Sequence, residues 1–263
     1  MVEVRAALRR PSAGRRPLPD FLLIGAQRGG TTSLYRYLAT HPSVAPALGK
    51  ELQYFTLHHG RGEAWYRSHF PVTAGSTLTF EATPYYLFHP LAPERAAATV
   101  GGARMVVLLR DPAARAFSHH RHNVSRGLEP LGFEAALDAE PDRLAGEEQR
   151  LLEDPGYVSR SHRLFSYVGR GLYVDQLERW FSHFPREQVL VLASEDLYRQ
   201  PGPTYRSVLD FLGLAPLELP AYPVHTRSSG STSMAPSTRR RLDERFAPHN
   251  RRLAELLGQD LGW

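Results

Sequence analysis

Residues 21–33, which read FLLIGAQRGGTTS, constrain this chain more than any other part of the sequence. Four apolar residues predict a buried strand, the glycine-rich run predicts a tight turn, and Thr31 to Ser33 open a segment with helical periodicity. Glycines let backbone amides approach an anion, and the start of a helix adds further donors and a favourable dipole. The segment therefore predicts an anion site built from a strand, a turn and a helix N-terminus.

One residue of this turn argues against a nucleoside triphosphate as the bound anion. The distance from Gly25 to Gly30 is that of a P-loop, yet Thr31 stands where the motif carries its lysine. That lysine reaches the β- and γ-phosphates in enzymes of the P-loop class. We therefore predict an anionic ligand other than ATP at this turn.

Apolar segments that alternate with helical patterns predict an α/β fold, with a central, mainly parallel sheet between two layers of helices. Strong buried-strand signals occur at Arg104–Leu109 (RMVVLL), at residues 188–193 (QVLVLA) and at Leu78–Ala82. Ligands of such sheets bind beyond the carboxyl ends of the strands. Residues 83–86 and Arg110 follow two of these strands directly, so we expect them to lie beside the glycine-rich turn.

The same periodicity sets the expected domain boundaries. The arginine and proline content of residues 1–20 predicts a loose, basic, flexible tail, and residues 21–263 are predicted to form a single domain. Helices are predicted at about residues 32–40, 92–99, 112–126, 133–139, 147–153, 173–181, 204–212 and 239–257, the last of them interrupted at Pro248.

Composition excludes several classes of protein. The sequence has no cysteine, so it forms neither disulfides nor thiolate metal sites, which fits a reducing cytoplasm. No apolar run approaches the roughly 18 residues of a membrane span. The formal net charge of +5 is accompanied by no nucleic-acid-binding motif. We therefore predict a cytoplasmic protein with a small-molecule or glycan ligand, without nucleic acid as a partner and without an integral membrane segment; its oligomeric state is not predicted.

Lys50 is the only lysine among the 32 basic residues, and the other 31 are arginine. This bias is typical of a genome that favours arginine codons and suggests a bacterial origin. A lysine that persists in such a background is a candidate for a role that needs a compact, movable ammonium group, although chance also explains it.

Five segments, taken in order, resemble the sulfotransferase family: GAQRGGTTSL, KELQYF, EATPYY, LLRDPAARAFSHH and HNRRLAELLGQDLGW. The likeness is to the branch that includes heparan sulfate sulfotransferase domains and their bacterial relatives, and it extends over residues 21–263. The family transfers a sulfuryl group from 3′-phosphoadenosine 5′-phosphosulfate (PAPS) to a hydroxyl or an amine. The resemblance therefore implies a P-loop-like three-layer fold, PAPS as the donor and 3′-phosphoadenosine 5′-phosphate (PAP) as a product.

The resemblance also implies a donor site. Arg110 and Ser118 resemble the family's 3′-phosphate site, and a guanidinium with a nearby hydroxyl suits a phosphate. Residues 226–230 stand where the family closes a basic loop over the same phosphate, which implies roles for Arg227 and Ser228. The 5′-phosphosulfate would be held by Arg28, which replaces the family's usual lysine, and by Gly29, Gly30, Thr31, Thr32 and Ser33.

Glu51 aligns with the glutamate that takes the acceptor proton in the heparan-type enzymes, and a positioned carboxylate suits that task. Arg28 and Lys50 are the candidates for neutralising the sulfuryl group or the leaving phosphate. Consecutive residues of an extended strand point in opposite directions, so Lys50 and Glu51 need not both face the site. Exposed surface charge is the alternative for each.

Three departures from the family concern the acceptor. Where the heparan 3-O-type enzymes carry His, Asp and Lys, this chain has Gln53, Thr56 and Ala82, which argues against a heparan-like substrate. The expected acceptor is a carbohydrate, a glycolipid or a secondary metabolite that offers a hydroxyl or, less favoured, an amine. An aromatic-rich acceptor mouth is predicted from Gln53, Tyr54, Phe55 and Tyr85, with core packing as the alternative for the aromatic residues.

No metal is predicted, because the histidines are not spaced with carboxylates as in known metal sites and no magnesium ligand set is present. Two other functions remain open at this point. One is a P-loop-like small-molecule kinase that uses ATP and Mg²⁺, and the other is a non-catalytic nucleotide-binding protein.

Overall fold

The computed structural model describes residues 2–73, 75–225 and 233–263. Within them five strands form one sheet: β1 (Phe21–Gly25), β2 (Val44–Pro46), β3 (Leu78–Ala82), β4 (Arg104–Leu109) and β5 (Val189–Ala193). Their order in the sheet is β2–β3–β1–β4–β5, and every neighbouring pair is parallel. The predicted parallel sheet is therefore confirmed.

Helices cover both faces of this sheet, which gives the predicted three layers. Those in the described residues are α1 (Val2–Arg9), α2 (Thr31–Leu38), α3 (Glu63–Arg67), α4 (Ala92–Val100), α5 (Pro112–Ser125), α6 (Phe133–Leu144), α7 (Glu147–Glu153), α8 (Arg160–Leu164), α9 (Tyr173–Phe181), α10 (Ser194–Arg199), α11 (Pro201–Leu212) and α12 (Pro236–Leu257).

The core is divided between the two faces because successive side chains of a strand point to opposite sides. On one face, Leu22 and Ile24 lie in a cluster with residues of α3, α4 and α9. On the other, Phe21 and Leu23 lie in a cluster with residues of α2, α10 and α11. Strands buried on both faces read as continuous apolar runs. This is why β1 and β4 were recognisable in the sequence.

The beginning of the chain differs from the predicted loose tail. Residues 2–9 form α1, and Arg10–Arg15 form a 3₁₀ helix that contacts α3. Ala6 and Ala13 are buried, and Arg16 donates from Nη1 to the carbonyl of Phe70 at 2.8 Å. Small alanines and one long arginine thus tie the segment to the rest of the protein, which composition alone did not reveal.

Two helical details were also predicted wrongly. α12 continues through Pro248, because Leu242, Phe246 and Leu253 are buried on both sides of the proline and hold the helix in place. That packing offsets the roughly 3 kcal/mol that an interior proline costs. The short helices α8 and α10 were not predicted, since five or six residues are too few to show a helical period.

Candidate active site

The glycine-rich turn after β1 lies directly against the neighbouring strand β4. The amide of Ala26 donates to the carbonyl of Leu108 at 2.7 Å, and the amide of Gly29 donates to the carbonyl of Ala26 at 2.9 Å. Gly30 has a φ of 93°, and α2 begins immediately after it. A β-carbon on Gly29 would lie 2.5 Å from the Leu108 carbonyl oxygen. The close approach therefore requires glycine, and it places the first amides of α2 at the edge of the sheet, where an anion is favoured.

Two arginines and a hydroxyl meet beside this turn. Arg28 donates from Nε to the Oγ of Ser118 at 3.0 Å, and Arg110 donates from Nη1 to the carbonyl of Arg28 at 3.1 Å. Burial, with the nearby charge of Arg110, lowers the pKa of Arg28. Arg28 of the turn, Arg110 after β4 and Ser118 of α5 therefore lie together. The resemblance assigned Arg28 to the 5′ end of one nucleotide and the other two residues to its 3′ end. Two close guanidinium groups make an anion favourable here.

The backbone around Arg110 is fixed from three other helices. Tyr173 of α9 donates its hydroxyl to the carbonyl of Arg110 at 2.8 Å, and the amide of Asp111 donates to Oε1 of Glu195 at 3.0 Å. The Asp111 carboxylate also accepts from Nη1 and Nη2 of Arg239 in α12 at 3.1 and 2.7 Å. Arg110 is therefore held at the sheet edge before any ligand binds.

A cavity of about 350 Å³, here called the Arg110 cavity, opens beside this arginine. It combines three guanidinium groups and two hydroxyls with the apolar side chains of Phe117 and Met234. Such a lining suits a phosphate joined to a flat apolar group. The lining residues are Arg110, Ala114, Phe117, Ser118, Arg121, Ser233, Met234 and Arg239.

The other residues predicted to bind the sulfuryl donor differ in their exposure. Thr31 is buried and Thr32 is half-buried at the start of α2. Ser33 is completely buried, and its Oγ accepts the amide of His225 at 3.2 Å, so the structure uses Ser33 to hold that segment against α2. Arg227 and Ser228 lie outside the described residues.

A second cavity of about 380 Å³, here called the Glu51 cavity, is lined by one residue of the glycine-rich turn. Gln27 lines it, whereas the next residue, Arg28, contacts Ser118 of the Arg110 cavity. The two cavities are therefore separated by about one residue of the turn. The lining residues are Gln27, Glu51, Gln53, Pro84, Tyr85, Arg126, Leu128, Arg160, Arg163, Leu164 and Arg170.

Glu51 lies at the rim of its cavity with half of its side chain exposed. Its φ is 62°, so the chain is not extended here, and the alternation of side chains along a strand does not apply to Lys50 and Glu51. Instead the Nζ of Lys50 lies 3.1 Å from Oε1 of Glu51. Lys50 itself does not line the cavity; it contacts the carboxylate that does.

Two of the four residues predicted for the acceptor mouth belong to the core instead. Tyr54 stacks on Tyr66 with ring centroids 4.2 Å apart, and Phe55 is completely buried. The chain turns inward after Gln53, whose carbonyl accepts the amide of Leu57 at 2.9 Å. Gln53 and Tyr85 line the Glu51 cavity, as expected.

Four arginines of the Glu51 cavity were missed by the sequence analysis: Arg126, Arg160, Arg163 and Arg170. Arg170 is almost completely buried, and burial lowers its pKa to about 10. It donates from Nη1 to Oε1 of Gln27 at 2.9 Å and lies 4.7 Å from the ring centroid of Tyr85. Among the described residues, none of the four forms a salt bridge. In a chain with 31 arginines, no local pattern marks these four.

Two general properties of the described part of the chain concern metal ions and membranes. It holds no group of three or more histidine or carboxylate residues arranged to bind a metal ion. It also holds no helix that is both long and apolar enough to cross a bilayer. The cytoplasmic location, the bacterial origin and the single domain over residues 21–263 stay predictions.

Comparison with known proteins links this geometry to one family. The family model described as "Sulfotransferase domain" matches residues 18–229. The chain is 31% identical to mouse heparan sulfate glucosamine 3-O-sulfotransferase 3B1, over 95% of this chain and 66% of that protein. It is also 31% identical to human heparan sulfate glucosamine 3-O-sulfotransferase 6, over 95% of this chain and 75% of that protein. The chain thus spans about two thirds of the length of the 3B1 enzyme.

Solved structures agree with the sequence comparison. A sulfotransferase from Alicyclobacillus acidocaldarius superposes with a TM-score of 0.73 at 29% identity, covering 93% of this chain and 97% of that one. Mouse sulfotransferase SULT7A1, solved in complex with PAP, superposes with a TM-score of 0.54 at 13% identity, covering 94% and 90%. At that identity the second likeness shows the fold alone.

Proposed function

Because this chain belongs to the sulfotransferase family, we propose that it transfers a sulfuryl group from PAPS to an acceptor hydroxyl and, less favourably, to an amine. The observation that carries the proposal is the contact of Arg28 with both Ser118 and Arg110 beside the glycine-rich turn. This arrangement offers two separated anion sites, one at the turn and one in the Arg110 cavity. A nucleotide with phosphate groups at both its 3′ and 5′ positions needs such a pair.

PAPS supplies an activated sulfuryl group attached to a phosphate leaving group. Arg28 and the first amides of α2 would stabilise the negative charge that grows on the sulfuryl oxygens and the leaving phosphate. Glu51 takes the proton of the acceptor hydroxyl while the new sulfur–oxygen bond forms. The electron pair of the broken bond leaves with the phosphate of PAP. The Nζ of Lys50 lies 3.1 Å from Oε1 of Glu51 and forms an ion pair with it.

The Glu51 cavity supports an acceptor that carries a carboxylate or sulfate. Four arginines without carboxylate partners among the described residues face a single glutamate there. An anionic carbohydrate, glycolipid or secondary metabolite would therefore be favoured over a neutral one. Gln53, Thr56 and Ala82 replace the residues that the heparan 3-O-type enzymes use for their acceptor. In this chain the positive charge of the cavity comes instead from the end of α5 and the segment around α8.

Calorimetric titration with PAP tests the donor site. We expect PAP to bind wild type, and Arg110→Ala to weaken that binding by about 100-fold, since each hydrogen bond to a charged group contributes about 1.5–3 kcal/mol. Arg104→Ala is the matched control, because Arg104 lies at the opposite end of the same strand. It should leave the affinity for PAP unchanged.

The same titration with ATP and Mg²⁺ decides between sulfuryl and phosphoryl transfer. A preference for ATP with Mg²⁺, or equal affinity for PAP in wild type and Arg110→Ala, would contradict the proposal and favour a kinase. Binding of PAP without transfer of ³⁵S from labelled PAPS to any acceptor would favour the non-catalytic alternative.

Acceptor charge is tested with p-nitrophenyl β-glucuronide and p-nitrophenyl β-glucoside, which differ in one carboxylate. We expect the glucuronide to have the lower KM, and Arg163→Ala to raise that KM by about 10-fold while leaving the glucoside unaffected. Arg206→Ala, which removes an exposed arginine paired with Glu218, is the control. An equal KM for both acceptors in wild type would exclude an anionic preference.

A further inference from the structure

A buried carboxylate lies beneath the segment that carries Glu51. Glu81 is part of β3, and its side chain is completely buried on the face of the sheet that contacts α3. Its Oε1 accepts the hydroxyls of Tyr86 at 2.6 Å and Tyr66 at 3.0 Å, and its Oε2 accepts the hydroxyl of Thr83 at 2.7 Å. A buried carboxylate needs such a set of donors, because without them it would be strongly unfavourable.

Two of these donors, Thr83 and Tyr86, connect Glu81 to three consecutive amides. The amide of Gln53 donates to Oγ1 of Thr83 at 3.3 Å, and the amides of Tyr54 and Phe55 donate to the hydroxyl of Tyr86 at 2.8 and 3.4 Å. Residues 53–55 are thus fixed, each through one hydroxyl, by a single carboxylate.

This segment needs external support. Glu51 and Gln53 have φ values of 62° and 57°, a left-handed conformation that is unfavourable for residues with a β-carbon. Such conformations persist when surrounding contacts determine them, and they cluster at functional sites. The amide of Glu51 donates to the carbonyl of Ala82 at 2.8 Å, so the backbone of Glu51 is attached to β3 at the residue that follows Glu81.

We propose that Glu81 is a positioning residue that holds Glu51 in the geometry needed for proton transfer. The inference rests on the proposed function, and Glu81 itself does not touch the substrate. The direction of the hydrogen bonds gives the reason for a carboxylate. The hydroxyls of Thr83 and Tyr86 donate to Glu81 and so keep their lone pairs for the amides of residues 53–55. A glutamine would donate through its own amide and compete with that direction.

The test compares Glu81→Gln, Tyr86→Phe and Tyr66→Phe in sulfuryl transfer from PAPS to p-nitrophenyl β-glucuronide. Tyr66 and Tyr86 are both completely buried and both donate to Glu81, but only Tyr86 accepts amides of residues 53–55. We expect Glu81→Gln and Tyr86→Phe to lower kcat by about 10- to 100-fold, because small misplacements of a reacting group cost that much. Tyr66→Phe should stay within about two-fold of wild type, and PAP affinity should be unchanged in all three.

A double variant separates positioning from general destabilisation. If Glu81 acts through Glu51, Glu81→Gln should lower kcat little further in a Glu51→Gln background. Multiplicative losses, unchanged kcat in Tyr86→Phe, or an equal loss in Tyr66→Phe would overturn the inference. Should Glu81→Gln not fold, the Tyr86→Phe and Tyr66→Phe pair decides. Wild type that neither binds PAP nor transfers sulfate would instead refute the proposed function, and the inference with it.

Discussion

Replacing Glu51 with glutamine is expected to lower kcat for sulfuryl transfer by about 10²- to 10⁴-fold, the usual contribution of a positioned general base. Glutamine keeps the shape of the side chain but cannot take the acceptor proton. Glu51 lies in the cavity that adjoins the glycine-rich turn but forms no part of the Arg110 cavity. PAP affinity should therefore change by less than about two-fold, which calorimetry on the same protein sample measures.

Glu63→Gln is the control for this experiment, because Glu63 is an exposed carboxylate in α3 that forms an ion pair with Arg67. Its kcat should equal that of wild type. A Glu51→Gln protein with kcat within about three-fold of wild type would show that another group takes the proton. Loss of PAP binding in Glu51→Gln would show that the substitution disturbs the donor site, and the kinetic effect could then not be assigned to proton transfer.

Placing a methyl group on Gly29 is expected to weaken PAP binding by about 100-fold or more. The added β-carbon would lie 2.5 Å from the Leu108 carbonyl oxygen and 3.0 Å from that of Ala26. Both neighbours are backbone atoms of the site itself, so the turn must move away from β4 rather than adjust a side chain. Displacement of a binding group by about 1 Å is enough for an effect of this size.

Gly102→Ala is the matched control for Gly29→Ala, since no heavy atom lies within 4 Å of the β-carbon at position 102. Calorimetry with PAP and thermal unfolding should be measured on both variants. We expect Gly29→Ala also to lower the free energy of unfolding by about 1–3 kcal/mol, the usual cost of overpacking. Normal PAP affinity in a folded Gly29→Ala protein would contradict the role assigned to the turn.

Much of the fold could be predicted because its signals are local. β3 and β4 begin and end where the sequence predicts, and each is followed within three residues by a proline. The glycine-rich turn, Arg110 and Ser118 were also identified from sequence, and the structure brings Arg28, Ser118 and Arg110 into contact. The turn and Arg110 could be placed near each other because each directly follows a strand, and parallel strands have their carboxyl ends at one edge of the sheet.

Other features could not be predicted because they depend on contacts between distant residues. Tyr54 and Phe55 follow the candidate base in sequence, yet the left-handed conformation of Gln53 turns them into the core. Arg170 lies 143 positions from Gln27 but donates to it, and no local pattern distinguished it from other arginines.

The sequence by itself determined the parallel sheet, the glycine-rich turn and the family, since each depends on short segments whose residue types have few structural alternatives. Only the tertiary structure decided which charges share a cavity and which carboxylate supports the candidate base. Those properties follow from how strands, turns and helices far apart in the chain are placed against one another. Glu81 shows the difference: it is one glutamate in a strand, and its proposed role is visible only from the three amides linked to it through Thr83 and Tyr86.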